Sequence, residues 1–171
     1  MAEQPTQATL HLVTHCEHAT EEVGARLAAL LEPGDVVALV GELGAGKTCL
    51  ARGIARGLGI DEPVTSPTFI LVAEYRTPGG MALYHADCYR LDAPAAEAMD
   101  IGLDELMDGR GVCVVEWAER VASLLPPDHL RIELKAADTT TRHLAIYATG
   151  PRSAALVQRL AAAETVHAAR P

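Results

Sequence analysis

The run Gly41-Glu42-Leu43-Gly44-Ala45-Gly46-Lys47-Thr48 restricts the fold of this chain more than any other stretch. It fits G-x-x-x-x-G-K-[ST], in which glycines permit a tight turn and a close approach of backbone N–H groups to an anion. In that pattern Lys47 reaches the terminal phosphates of a nucleotide and the Thr48 hydroxyl ligates Mg2+. The flanks supply the context the pattern needs. Asp35 to Val40 is a Val-rich apolar run, the composition of a strand buried on both faces. Leu50, Ile54 and Leu58 recur every four residues and mark a helix face. A helix starting near Gly46 points its positive dipole end at the phosphates. Strand, loop and helix in this order predict an α/β chain, a three-layer fold of the P-loop NTPase kind with a mixed, mainly parallel central sheet.

The 171 residues, 49% of them hydrophobic, suit one domain over 1–171, with loose ends expected at 1–8 and about 166–171. A net charge of −9 opposes binding nucleic acid through a basic face, so contact with RNA is expected only through a partner. Cys16, Cys49, Cys88 and Cys113 form no C-x-x-C pair, which fits core thiols in a reducing cytosol better than disulfides or a zinc site. No signal-peptide pattern opens the chain and no apolar run is long enough to cross a bilayer. A cytoplasmic location without membrane contact is expected.

Along the chain, Thr9 to Val13 alternates like an edge strand. His15, Cys16 and His18 read as a polar turn, since no further ligand cluster accompanies them. Thr20-Glu21-Glu22 reads as a helix start, a capping hydroxyl followed by acids, and Glu32-Pro33-Gly34 as its stop. Phe69 to Tyr75 and Met81 to Ala86 read as a hairpin around Pro78-Gly79-Gly80. Ala93 to Leu106 reads as short acidic helices, Gly111 to Val115 as a second buried strand, and Ala118 to Leu125 as a short helix. Leu130 to Lys135 and His143 to Ala148 alternate and are expected to pair antiparallel; Ser153 to Thr165 reads as a C-terminal helix.

Three further places carry chemistry. Ser66-Pro67-Thr68 is either a loop whose hydroxyls sense the γ-phosphate or Mg2+, or a proline turn before a strand, and sequence chemistry alone favours the turn. Asp87, at a strand end, is either a second acid near Mg2+ and the attacking water, or a helix cap or Arg90 partner, with position favouring neither. Glu116 follows four apolar residues, the shape of a magnesium-supporting strand end. The alternative is an acid leaving the core above Trp117, and the phosphate loop favours the first.

The chain contains no asparagine, so the guanine-reading N-K-x-D is missing; Asp108-Gly109-Arg110-Gly111 matches D-x-x-G but precedes a strand. No arginine cluster resembles a kinase lid. An ATPase is the simplest remaining reading. No water-positioning glutamine stands out, and none of Arg52, Arg56 and Arg90 is a clear arginine finger, which predicts slow turnover that a partner accelerates.

Gly41 to Thr48, Ser66-Pro-Thr-Phe69, His85-Ala-Asp-Cys-Tyr-Arg-Leu91 and Val115-Glu-Trp117 stand in one order and spacing. Together they resemble the bacterial TsaE (YjeE) family, from about Glu17 to Leu134. The resemblance implies the small Mg2+-dependent ATPase of the machinery that makes threonylcarbamoyladenosine in tRNA, weak alone and working with TsaD and TsaB. It implies Lys47, Asp87 and Glu116 as catalytic residues and Thr48 and Glu116 as Mg2+ ligands. ATP would be bound by Glu17, by Gly41, Glu42, Leu43, Gly44, Ala45, Gly46, Lys47 and Thr48, and by Ser66 and Thr68. Glu17 would lie by the adenine. Cys88 departs from the aliphatic residue more usual there. The competing functions are a small-molecule kinase and a nucleotide-gated binding module that needs no hydrolysis.

Overall fold

The computed structural model describes residues 9–67 and 71–169. The expected apolar runs become strands: Thr9–Thr14 (β1), Val36–Val40 (β2), Val72–Arg76 (β3), Ala82–Asp87 (β4), Gly111–Glu116 (β5), Leu130–Ala136 (β6) and Arg142–Ala148 (β7). They form one seven-stranded sheet in the order β1-β7-β6-β2-β5-β4-β3. β6, β2, β5 and β4 pair parallel in that order, and antiparallel pairs β1–β7, β6–β7 and β3–β4 flank them. β1 therefore points the same way as the central four, and only β7 and β3 oppose them. The sheet is mixed and mainly parallel, as the sequence predicts.

Alternation assigns the two faces. Val37, Leu39, Leu83, Val112 and Val114 face one core, which also holds Leu27, Leu50, Ile54 and Leu160 from the helices Glu17–Ala28 (α1), Lys47–Gly57 (α2) and Pro151–Ala168 (α5). Val36, Ala38, Tyr84, Ala86, Cys113 and Val115 face the other, beneath Pro94–Asp100 (α3), Leu103–Leu106 (α4) and the 3-10 segment Ala118–Leu124. Three layers result, and strands buried on both faces explain why β2 and β5 read as continuous apolar runs. Among the described residues no helix is long and apolar enough to cross a membrane.

α1 and α2 pack backbone to backbone. A Cβ added at Gly53 would lie 2.2 Å from the Glu21 carbonyl oxygen, and one at Gly24 would lie 2.5 Å from that of Leu50. Only glycine fits either position. This contact fixes the start of α2, and hence the glycine loop before it, against α1. α5 is tied on by Arg152, whose Nε and Nη2 donate to Asp35 at 2.9 and 2.7 Å, and by Asp128, which accepts from the Arg152 and Ser153 amides.

Several boundaries differ from expectation. α1 starts three residues before Thr20, because Cys16 and not Thr20 is its N-cap; the Cys16 Sγ accepts from the Ala19 amide at 3.4 Å. Thr20 is buried instead, its hydroxyl 2.7 Å from that of Thr14, which ties the helix to β1. α5 runs past the expected Thr165 to Ala168. The expected Met81 strand start moves to Ala82, and Asp87 becomes the last residue of β4. Residues 1–8, and Thr68, Phe69 and Ile70 of the expected loop and strand, lie outside the described residues.

Candidate functional site

Parallel strands deliver their C-terminal ends to one edge of the sheet, the usual place for a ligand in open α/β folds. Here β2 runs into the glycine loop, and β4 and β5 end side by side at Asp87 and Glu116, which are paired in register. A cleft of about 660 Å3 opens there. Leu43, Gly44, Ala45, Gly46, Lys47 and Thr48 form its floor, Asp87 and Glu116 one wall, and Ser66 lies beside them. Glu17, with Cys16 and Thr20, closes it from the α1 side.

Gly41 and Glu42 lie outside this lining and contribute backbone. Their carbonyls accept from Lys47 Nζ, that of Glu42 at 2.8 Å. Gly41 itself must be glycine: its φ is 154°, and a Cβ there would lie 2.4 Å from the Leu134 carbonyl oxygen. Lys47 is 4% exposed. Burial pushes its amine below the usual lysine range, against the opposing pull of the Glu116, Glu119 and Asp87 carboxylates.

The Thr48 hydroxyl lies 2.9 and 3.0 Å from the two oxygens of Glu116 and donates its single hydrogen there. Both are hard oxygen donors, the type Mg2+ takes, and Mg2+ needs only one or two protein ligands besides phosphates and water. Among the described residues no three His, Cys, Asp or Glu side chains converge to enclose a metal by protein alone. The donor set thus suits a cation that arrives with a phosphate ligand. Asp87 is held on both oxygens. Oδ2 accepts from the Ser66 hydroxyl and Oδ1 from the Tyr89 amide at 2.9 Å. The Ser66–Asp87 contact joins two candidates that the sequence left open, while Thr68 is outside the described residues.

Other groups at the site lie outside the candidate residues that the sequence offers. Trp117 takes φ 58°, a left-handed conformation that costs a bulky residue about 1–2 kcal/mol. The turn brings its indole face to within 4.0 Å of Lys47 Nζ and stacks it on Tyr89 at 4.7 Å between centroids. Thr139, Thr140 and Arg142, at the β6–β7 turn, line the far side of the cleft, and Arg142 Nη2 donates to the Gly44 carbonyl at 3.3 Å. Alternation makes β6 and β7 legible but gives no sign that their turn overhangs the loop. Of the arginines weighed from sequence, Arg90 lines the cleft, whereas Arg52 and Arg56 form ion pairs with Glu21.

Comparison with known proteins gives the family and the fold. Residues 14–144 match the family model described as Threonylcarbamoyl adenosine biosynthesis protein TsaE. A tRNA threonylcarbamoyladenosine biosynthesis protein TsaE from Bacillus subtilis is 43% identical over 141 residues, covering 82% of this chain and 87% of that protein. The protein of that name from Treponema pallidum is 45% identical over 137 residues, covering 80% and 99%. The crystal structure of Bacillus subtilis YdiB superposes with a TM-score of 0.80 at 36% identity, over 94% of this chain and 99% of that one.

Proposed function

Because the chain belongs to the TsaE family of threonylcarbamoyl adenosine biosynthesis proteins, we propose that it is a Mg2+-dependent ATPase serving the complex that builds this modification in tRNA. The observation that carries the reading is the pair Thr48–Glu116, joined at 2.9 Å at the mouth of a phosphate-binding loop, with Asp87 in register beside it. The missing asparagine favours ATP over GTP, since it leaves the chain without N-K-x-D.

Each residue has a role in this reading. The loop amides and the α2 N-terminus receive the phosphates. Lys47 exchanges the Gly41 and Glu42 carbonyls for phosphate oxygens. Thr48 and Glu116 hold Mg2+, which neutralises charge on the phosphates when bound. Asp87 orients the attacking water, and Ser66 holds Asp87 in place. Trp117, stacked on Tyr89, presents the ring face over which the Lys47 ammonium sits. Slow turnover of the chain alone follows from the lack of a clear arginine finger or water-positioning glutamine in the sequence. A partner supplies the missing group. By the family's chemistry that partner is the TsaB–TsaD pair, with tRNA reached only through the complex.

The test is ATP turnover by the purified chain with and without TsaB and TsaD. Feeble activity alone and clear stimulation by the pair are expected. Unchanged turnover would remove the partner assignment. Lys47→Ala should weaken ATP binding and remove activity, since the γ-phosphate loses its charge partner. With labelled ATP, water should be the sole acceptor; a phosphorylated metabolite would instead favour a kinase.

A further inference from the structure

One buried polar group near the site has no part in the roles above. His85 is 1% exposed, on β4, two residues before Asp87. It pairs in register with Val114, which places it diagonal to Glu116 on the same face of the sheet. Its Nε2 lies 2.8 Å from Glu116 Oε1. Its Nδ1 is buried with no hydrogen-bond partner among the described residues. A carboxylate accepts, so Nε2 carries the hydrogen of this contact. The hydrogen bond of this imidazole is thus spent on Glu116, although most buried polar groups are satisfied more fully.

We infer that His85 is a positioning residue: its Nε2–H fixes the Glu116 carboxylate so that the group faces Thr48 and the metal position. The inference rests on the Mg2+–ATP reading of the site. Oε1 of Glu116 accepts from His85 on the sheet side and lies 2.9 Å from Thr48 Oγ1, while Oε2 lies 3.0 Å from the same hydroxyl. His85 therefore sets the rotation of the carboxylate about its terminal bond, a torsion that side-chain packing alone leaves broad. Outer-shell partners of this kind typically change metal affinity about 10–100-fold when lost.

The test uses the full chain and the emission of Trp117, the sole tryptophan, 4.0 Å from Lys47 Nζ. ATP is titrated without metal, then Mg2+ is titrated at saturating ATP. His85→Leu removes the donor. His85→Gln restores an N–H at the position of Nε2, whereas the amide of His85→Asn falls at the position of Nδ1 and cannot reach Glu116. All variants should bind metal-free ATP within about twofold of wild type. His85→Leu and His85→Asn should raise the Mg2+ midpoint about 10–100-fold, and His85→Gln should return it towards wild type. If His85→Leu does not fold, the Gln and Asn variants decide the matter between them. A wild-type Mg2+ midpoint in the folded Asn variant overturns the inference. So does a Gln variant shifted as far as Asn. A wild-type chain whose ATP binding ignores Mg2+ overturns the functional reading itself.

Discussion

Replacing Gly53 by alanine tests whether the α1–α2 contact sets the site. In an isolated helix the change is favourable by about 1 kcal/mol. Here the new Cβ would lie 2.2 Å from the Glu21 carbonyl oxygen and 2.6 Å from its Cα. Both are backbone atoms, so no side chain can rotate away. Reaching ordinary contact at 3.4 Å requires the helices to part by about 1.2 Å, which loosens Val23 and Leu27 against Leu50 and Ile54. Overpacking of a tight core costs about 1–3 kcal/mol, and rigid backbone puts this case at the upper end. The net loss is about 2 kcal/mol, or a fall in Tm of about 4–8 °C for a chain this size. Because α2 begins at Lys47, the displacement also moves the phosphate loop, and ATP affinity should drop with stability. Thermal melts by circular dichroism, paired with ATP titration, read both effects. Gly79→Ala is the control, since the nearest contact of its Cβ is a Thr77 hydroxyl at 3.9 Å. An unchanged or higher Tm in Gly53→Ala would refute the reasoning.

Asp138 accepts from the Thr141 and Thr140 amides at 2.7 and 2.9 Å, and these bonds hold its carboxyl down at about 2. A depressed carboxyl stabilises the fold above its unfolded value of 3.8 and loses that contribution as pH falls through about 2. Asp138→Ala should therefore lower Tm at neutral pH, with the gap from wild type closing near pH 2, and should weaken ATP binding through Thr139, Thr140 and Arg142; a gap constant down to pH 2 would contradict this. Burial pushes the Cys88 and Cys113 thiols up to about 12, whereas Cys16 is exposed in the cleft wall. Iodoacetamide on the native chain at pH 8 should label Cys16 first, and Mg2+–ATP should slow that labelling. Equal labelling of Cys113, read by peptide mass spectrometry, would show that the core is not closed.

The parts of the site that lie close together along the chain are legible in the amino-acid sequence. Gly41 to Thr48 is legible as a tight strand-to-helix turn because the positive φ of Gly41, Gly44 and Gly46 suits glycine, and β2 and β5 are legible because strands buried on both faces need unbroken apolar runs. What stays hidden depends on contacts between distant segments. Nothing near Arg142 signals that it crosses to Gly44, and nothing in His85 signals Glu116, since that contact comes from strand register. Trp117 reads as core because its left-handed turn has no sequence signature outside glycine. The cap at Cys16 is hidden because cysteine is a weak acceptor and Thr20 has the usual capping chemistry. The close packing of α1 on α2 depends in the same way on distant segments meeting, Gly53 against Glu21 and Gly57 against Ala25 and Ala28.

The central claim is that the glycine loop and the ends of β4 and β5 jointly hold Mg2+–ATP. A crystal of the chain grown with a non-hydrolysable ATP analogue and Mg2+ tests it most directly. The metal should lie about 2.0–2.1 Å from Thr48 Oγ1 and a Glu116 oxygen, with Lys47 Nζ moved from the Gly41 and Glu42 carbonyls onto phosphate. A nucleotide bound elsewhere, or a metal that leaves Glu116 hydrogen-bonded only to Thr48 and His85, would contradict it.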